Sequence, residues 1–340
     1  MAYTTIKKPS DYFNTVLYTG NGATNAITGV NFQPDLIWIK DRDTAGNSHI
    51  WTDSVRGNTK NIYSNLTNAE GTKTDRVTSF DTDGFTLGAD ASQGANDNGS
   101  SQVAWNWLAN GAGVANTDGS ISSTVSANTT SGFSIVKYSG DGGSSSTVGH
   151  GLGAIPKMVI IKCRTSTPSW QVWGDGYTRL SLNNTDGDLG SNGMTRGAST
   201  VTLPSGINDW NGSGQDYIMY CWSEVQGYSK FGSYTGNGST DGTFVYTGFK
   251  PAFLIVKRTD STSNWRLWDS TRSTFNVADK LLFPDTSDQE LTSSSYYMDL
   301  LSSGFKIRNT NADINASGGS YIYMAFASEP LVGDNPATAR

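Results

Sequence analysis

Charge is scarce in this sequence: Asp, Glu, Lys and Arg make up 16% of its 340 residues, against about a quarter in an average soluble domain. No extended Lys/Arg run appears, the only paired lysines are Lys7 and Lys8, and the net charge is −6. The electrostatic footprint of a nucleic-acid or anionic-membrane binder is therefore missing. Two cysteines, Cys163 and Cys221, are too few for a disulfide framework or a zinc site and read as buried thiols. No stretch approaches the ~18–20 apolar residues of a membrane span, so no membrane insertion is expected. Residues 1–20 hold no apolar signal-peptide core, which predicts a chain made in the cytoplasm. Were it to act outside a cell, assembly into a particle released by lysis would be the route. Helix signals are nearly absent; the clearest candidate, residues 299–303, would be a single turn.

Catalytic material is equally thin. The only histidines are His49 and His150, and no Gly-x-Ser-x-Gly elbow accompanies them, leaving little for a His-based triad. A glycosidase needs two opposed carboxylates, yet many of the 30 acidic residues here sit beside Gly or Asn, where they read as turn formers. Two acidic turns, at 81–84 and 184–188, look faintly like calcium loops. The twelfth place, where an EF-hand carries Glu, holds Ser92 and Thr195. No catalytic residue, metal site or cofactor is expected, and no enzyme.

What is abundant is turn chemistry and aromatics. There are 39 Gly, 10 Trp and 15 Tyr; a disordered chain would be poor in aromatics. The string Tyr18-Thr19-Gly20-Asn21-Gly22 returns as Tyr138-Ser139-Gly140-Asp141-Gly142 and as Tyr234-Thr235-Gly236-Asn237-Gly238. A proline about fifteen residues later (Pro34, Pro156, Pro251) opens an apolar run that ends six residues on in Lys40, Lys162 or Lys257. Each run is short and β-branched, so it reads as a buried strand. Eleven residues past each lysine stands Trp51, Trp173 or Trp268, followed by an aspartate (Asp53, Asp175, Asp269) and an arginine (Arg56, Arg179, Arg272). An indole beside a charge-assisted Asp–Arg pair closing a corner accounts for that trio structurally. Aromatic closing strands follow at 103–107, 218–222 and 322–326.

Four landmarks in one order, three times, predict an all-β fold of three tandem, diverged β-sandwich or jelly-roll-like units. The expected boundaries are an N-terminal arm (1–14), unit one (15–108), a Gly/Ala/Ser/Asn/Thr linker (109–131), unit two (132–226), unit three (227–328) and a tail (329–340). A second tryptophan precedes the first by three in two units: Trp170 before Trp173 and Trp265 before Trp268, with Ser48 at that place in unit one. In a strand, an offset of three puts side chains on opposite faces. If Trp173 and Trp268 point inward, Trp170 and Trp265 point out, towards another subunit, sugar rings or an adjacent unit.

The strings "LYTGNG…ITGVNFQPDLIWIKDRD" from Leu17, "SVRG" from Ser54, "SFDTDGFTLG" from Ser79, "NTDGSISSTVSANTTSGFSIVKYSGDG" from Asn116, "YSKFGSYTGNG" from Tyr228 and "YIYMAFASEP" from Tyr321 together resemble a recurrent module of marine bacteriophage structural proteins. The resemblance covers nearly the whole chain. It implies a place on the virion, on the tail or its fibres, with other virion proteins as partners and host attachment as the role, and brings no catalytic or binding residues with it. A homo-oligomer, a trimer by analogy with fibres and spikes, is expected, with host cell-surface glycan as a possible ligand. Three homologous units in one chain are also able to arrange themselves pseudo-symmetrically, one chain mimicking a trimer. Capsid decoration, a surface-glycan depolymerase and a lectin are the alternatives.

Overall fold

The computed structural model describes residues 3–91 and 93–338; Ser92 and the extreme ends of the arm and tail lie outside them. Among the described residues the fold is all β, in antiparallel sheets, with one four-residue α-helix, Ala312–Asn315. The predicted turn at 299–303 is a correction: Met298–Leu301 is a strand pairing with Gly304–Ile307, because alternate burial at Met298 and Leu300 suits a sheet edge better than a helix turn.

One strand order recurs along the chain. An opening strand (Phe13–Thr19, Phe133–Ser139, Ser229–Thr235) lies beside a closing strand (Ser101–Trp107, Asp216–Trp222, Ser320–Pro330). Next comes a lysine strand (Leu36–Asp41, Met158–Cys163, Phe249–Arg258), then its hairpin partner (Ile50–Asp53, Gln171–Gly174, Arg266–Asp269). A three-stranded sheet faces each of these larger sheets, and a separate buried cluster fills the space between them in each segment. That two-layer packing is the sandwich expected of alternating strands.

The Tyr-x-Gly-x-Gly strings close the first turn of each segment. The phenols of Tyr18, Tyr138 and Tyr234 donate to the carbonyls of Ala95, Trp210 and Ile314. A Cβ on Gly20, Gly140 or Gly236 would drive into backbone at residues 96–97, 211–212 and 315–316, which is why glycine recurs there. Buried Asn96, Asn211 and Asn315 accept from the amides of Asn21, Asp141 and Asn237.

The stretch 109–131 is not a free linker. Val114–Asn116 and Ser123–Asn128 are strands that extend the second segment's large sheet to seven. The first of these strands forms the sheet edge and is largely exposed, while Val125 and Ser126 of the second are buried. The N-terminal arm is likewise docked, with Ile6 buried in the central core and the Tyr3 hydroxyl on the Gly248 carbonyl at 2.7 Å.

Candidate functional site

The second face of each large sheet is as buried as the first. One apolar cluster gathers residues from all three segments, among them Trp38, Trp51, Trp105, Trp107, Trp170, Trp222, Phe253 and Trp265. The sequence-predicted residues concentrate here, so the junction of the segments is the molecule's candidate site.

Strand register defines which positions correspond. Trp38 pairs with Trp51, Ile160 with Val172 and Ile255 with Leu267. Trp173 and Trp268 pair instead with Val159 and Leu254, one place earlier. The first segment's hairpin loop is one residue longer: Ile39 meets Ile50, whereas Ile161 meets Gln171 and Val256 meets Arg266. Since a one-residue shift turns a side chain to the other face, the trio equated by spacing is divided. Trp51 faces the central core, while Trp173 and Trp268 face their own segments' cores.

The same shift makes His49, not Ser48, the counterpart of Trp170 and Trp265. These two tryptophans are buried, at 0% and 2% exposure, which corrects any expectation of solvent-facing rings. Their outer face is covered by the neighbouring segment. Trp170 Nε1 donates across to the Tyr63 carbonyl at 2.9 Å and Leu66 at 3.1 Å; Trp265 Nε1 donates to the Ser181 carbonyl at 2.8 Å. Tyr63, Ser181 and Phe283 occupy matching places, fixed by the pairings Trp51–Ile62, Val172–Leu180 and Leu267–Leu282. His49 completes the cycle by lying against the Phe283 carbonyl, without closing a well-formed hydrogen bond to it. Its Nδ1 accepts from Trp38 Nε1 at 2.9 Å, and burial holds its pKa well below the usual value, so the ring is neutral. The backbone amides of His49, Trp170 and Trp265 are each fixed by an equivalent acceptor: Asn65, Asn183 and Asp285.

Charge decorates two of the three junctions. Arg56 Nε meets Asp53 Oδ2 at 2.5 Å with both side chains buried, and Asp53 also accepts from the Tyr220 hydroxyl of the second segment at 2.7 Å. Arg272 meets Asp269 in the same way, and Asp269 accepts from Trp105 Nε1 of the first segment at 3.0 Å. Outside each pair lies a two-point clamp: Arg164 on Glu70, and Arg42 on Glu290, with all four N···O distances at 2.8–2.9 Å. Burial would raise both glutamates, but the guanidiniums outweigh it and hold them below the ordinary carboxylate range.

In the second segment the expected Asp175–Arg179 pair is absent, and this too is a correction. Asp175 is bound by Lys157 and Arg196, and Arg179 lies over the Trp210 ring, 5.7 Å from its centroid. Register puts Gly174 and Tyr177 where the other segments have Asp and Arg. A Cβ on Gly174 would collide with the Tyr177 ring. The counterpart of Tyr220 and Trp105 is Met324, which has no hydrogen to donate. Carboxylate, guanidinium and donor have thus been replaced together.

Lys40, Lys162 and Lys257 close the upper rim of the junctions. Each is buried, and Lys162 and Lys257 donate across to the carbonyls of Thr67 and Thr185. Burial pulls all three ammonium groups down to about 8. Among the described residues no cluster of three or more His, Cys, Asp or Glu is placed to hold a metal ion. His150 is buried, its ring between the Gly197 carbonyl and the Leu152 amide.

The family model for a domain of unknown function, DUF7483, matches residues 8–330, running through all three segments. The chain belongs to the DUF7483 family. No curated protein matches it. The interlocked core of this DUF7483 chain binds and orients its own segments. The signal for His49, Asn65, Asn183 and Asp285 was present only as strand register, which spacing from a lysine does not count.

Proposed function

We propose that the chain is a non-enzymatic structural protein of a bacteriophage virion, tail-associated as fibre, spike or adaptor, contributing to host attachment. In this reading it is three diverged copies of one jelly-roll-like unit, closed head to tail into a pseudo-threefold ring. The observation that carries it is the cyclic set of cross-segment contacts: Trp170 on segment one, Trp265 on segment two and His49 against segment three. Such a ring has the symmetry of a trimer without needing three chains, so the trimer expected for a fibre or spike is supplied within one chain. Low charge, turn-rich β structure and the resemblance to marine phage modules support the virion setting.

Quantitative mass spectrometry and antibody-gold labelling of purified virions test it. A few to a few dozen copies at the tail are expected. Hundreds over the head would mean capsid decoration, and absence from particles would overturn the virion reading. The ring is tested separately: light scattering on the purified chain should give one 36.4 kDa unit, and a stable trimer of chains would argue against the single-chain mimic.

A further inference from the structure

In a molecule whose parts correspond so closely, exposed positions that break the correspondence mark where the surface has specialised. Among the described residues, the exposed aromatic side chains are Phe244, Tyr246 and Phe275, all in the third segment. Phe244 and Tyr246, 45% and 57% exposed, flank buried Val245 on an edge strand. The flanking positions in the other two segments are Ala26 and Thr28, and Thr147 and Gly149. Aromatics placed in water at a site where the fold needs only small residues are not explained by packing.

Tyr246 borders a cleft of about 260 Å³ that Tyr3, Glu224, Gln226, Lys230 and Gly248 also line. The Tyr3 phenol is anchored on the Gly248 carbonyl, and the hydroxyls of Tyr3 and Tyr246 both lie close to Gly248. Gly248 has φ +81, and a Cβ there would meet the Tyr3 hydroxyl at 2.8 Å, so the floor stays open only with glycine. Glu224 is neutralised by Lys230 at 2.6 Å, while exposed Gln226 offers both a donor and an acceptor. A second cleft, of about 520 Å³, shares Tyr3, Glu224 and Gln226 and continues to Thr129 and Thr130.

We infer that this double cleft binds a neutral saccharide chain. A pyranose has an apolar C–H face and an equator of hydroxyls. Tyrosine supplies a rigid amphipathic surface for the face, and a carboxylate, an amide and threonine hydroxyls supply partners for the edge. The internally compensated Glu224–Lys230 pair favours an uncharged ligand over a polyanion. The two clefts together give room for more than one ring. This inference does not rest on the virion reading, since it is measured on the purified chain and the other on particles.

The test is an immobilised array of neutral oligosaccharides built from hexose, deoxyhexose and N-acetylhexosamine units, followed by saturation-transfer NMR on the spots that bind. Tyr246→Ala and Gln226→Ala should each weaken binding by about tenfold or more, the scale of losing an anchoring contact. Tyr246→Phe should retain most of it, and Phe275→Ala, outside the cleft, should change nothing. Unchanged unfolding midpoints establish that the variants remain folded. Binding to no spot, binding indifferent to Tyr246→Ala, or capture of peptides in place of saccharides would each overturn the inference.

Discussion

Where the first segment meets the second, a buried carboxylate holds an arginine and accepts a phenol from its neighbour, with a second arginine clamping a glutamate outside. Where the second meets the third, the same positions hold Gly174, Tyr177, Met324, Asp188 and Thr259, and the clamp is missing: Asp188 is spent on Thr178 and Arg179 within its own segment. Both junctions keep the indole-to-carbonyl bond and a backbone bond, from Glu70 to Arg164 and from Asp188 to Thr259. The comparison teaches that the apolar core and the backbone bonds are sufficient to hold two segments together. The ionic set is an optional layer, and it is present or absent as a whole because half of it would leave a buried charge alone.

The sharpest way to break the comparison is to remove half a set. Arg272→Ala leaves Asp269 and weakens the hold on Glu290, and should cost about 3–5 kcal/mol in chemical denaturation. The triple change Asp53→Gly, Arg56→Tyr, Tyr220→Met imports the second segment's solution into the first, and should recover most of the loss seen in Arg56→Ala alone. A triple variant no more stable than the single one would refute interchangeability. Trp265→Ala removes a buried indole and its bond to Ser181, at about 3–5 kcal/mol; Trp170→Ala should match it, although one junction carries the ionic set and the other lacks it.

Titration gives smaller effects. Burial raises Asp285 to about 7, above its unfolded value, so the folded state keeps a proton that the unfolded chain has released. Stability from this group is present at low pH and is lost as pH rises towards 7. Asp285→Asn, which copies Asn65 and Asn183, should abolish that fall and stabilise the protein at pH 8 by about 1–3 kcal/mol. The three rim lysines have the opposite sign. Their folded values near 8 lie below the unfolded 10.5, so stability should climb between about pH 8 and 10. A urea midpoint series across pH 4–10 would show both limbs, with the lowest point near 7–8. Smallest of all, Thr259→Arg, offered to Asp188 at the junction that lacks the ionic set, should add no more than about 1 kcal/mol.

The strands around Lys40, Lys162 and Lys257 were legible because a continuous apolar run bounded by Pro and a charge has few other uses. The opposite-face relation of Trp170 to Trp173 was legible too, from period two alone. What spacing did not carry was what lies beyond the second face. An outward ring looks the same in sequence whether water or another segment covers it, and only the register of distant strands decides. The extra residue in the first hairpin loop had the same effect on a smaller scale: Trp51 kept its distance from Lys40 and lost its correspondence with Trp173. Residues 109–131 were opaque for a different reason, since short strands rich in Ser, Ala, Thr and Asn carry the composition of a linker.

The confinement of exposed aromatics to one segment has an economy of inheritance behind it. An assembly of identical chains must repeat every substitution around its axis, so a change that helps one face is imposed on all. Three linked copies are free of that rule. On the proposed ring, Tyr246 arises once and Thr28 and Gly149 stay as they were, so the molecule can keep a symmetric frame while it points a single distinct face at whatever it meets.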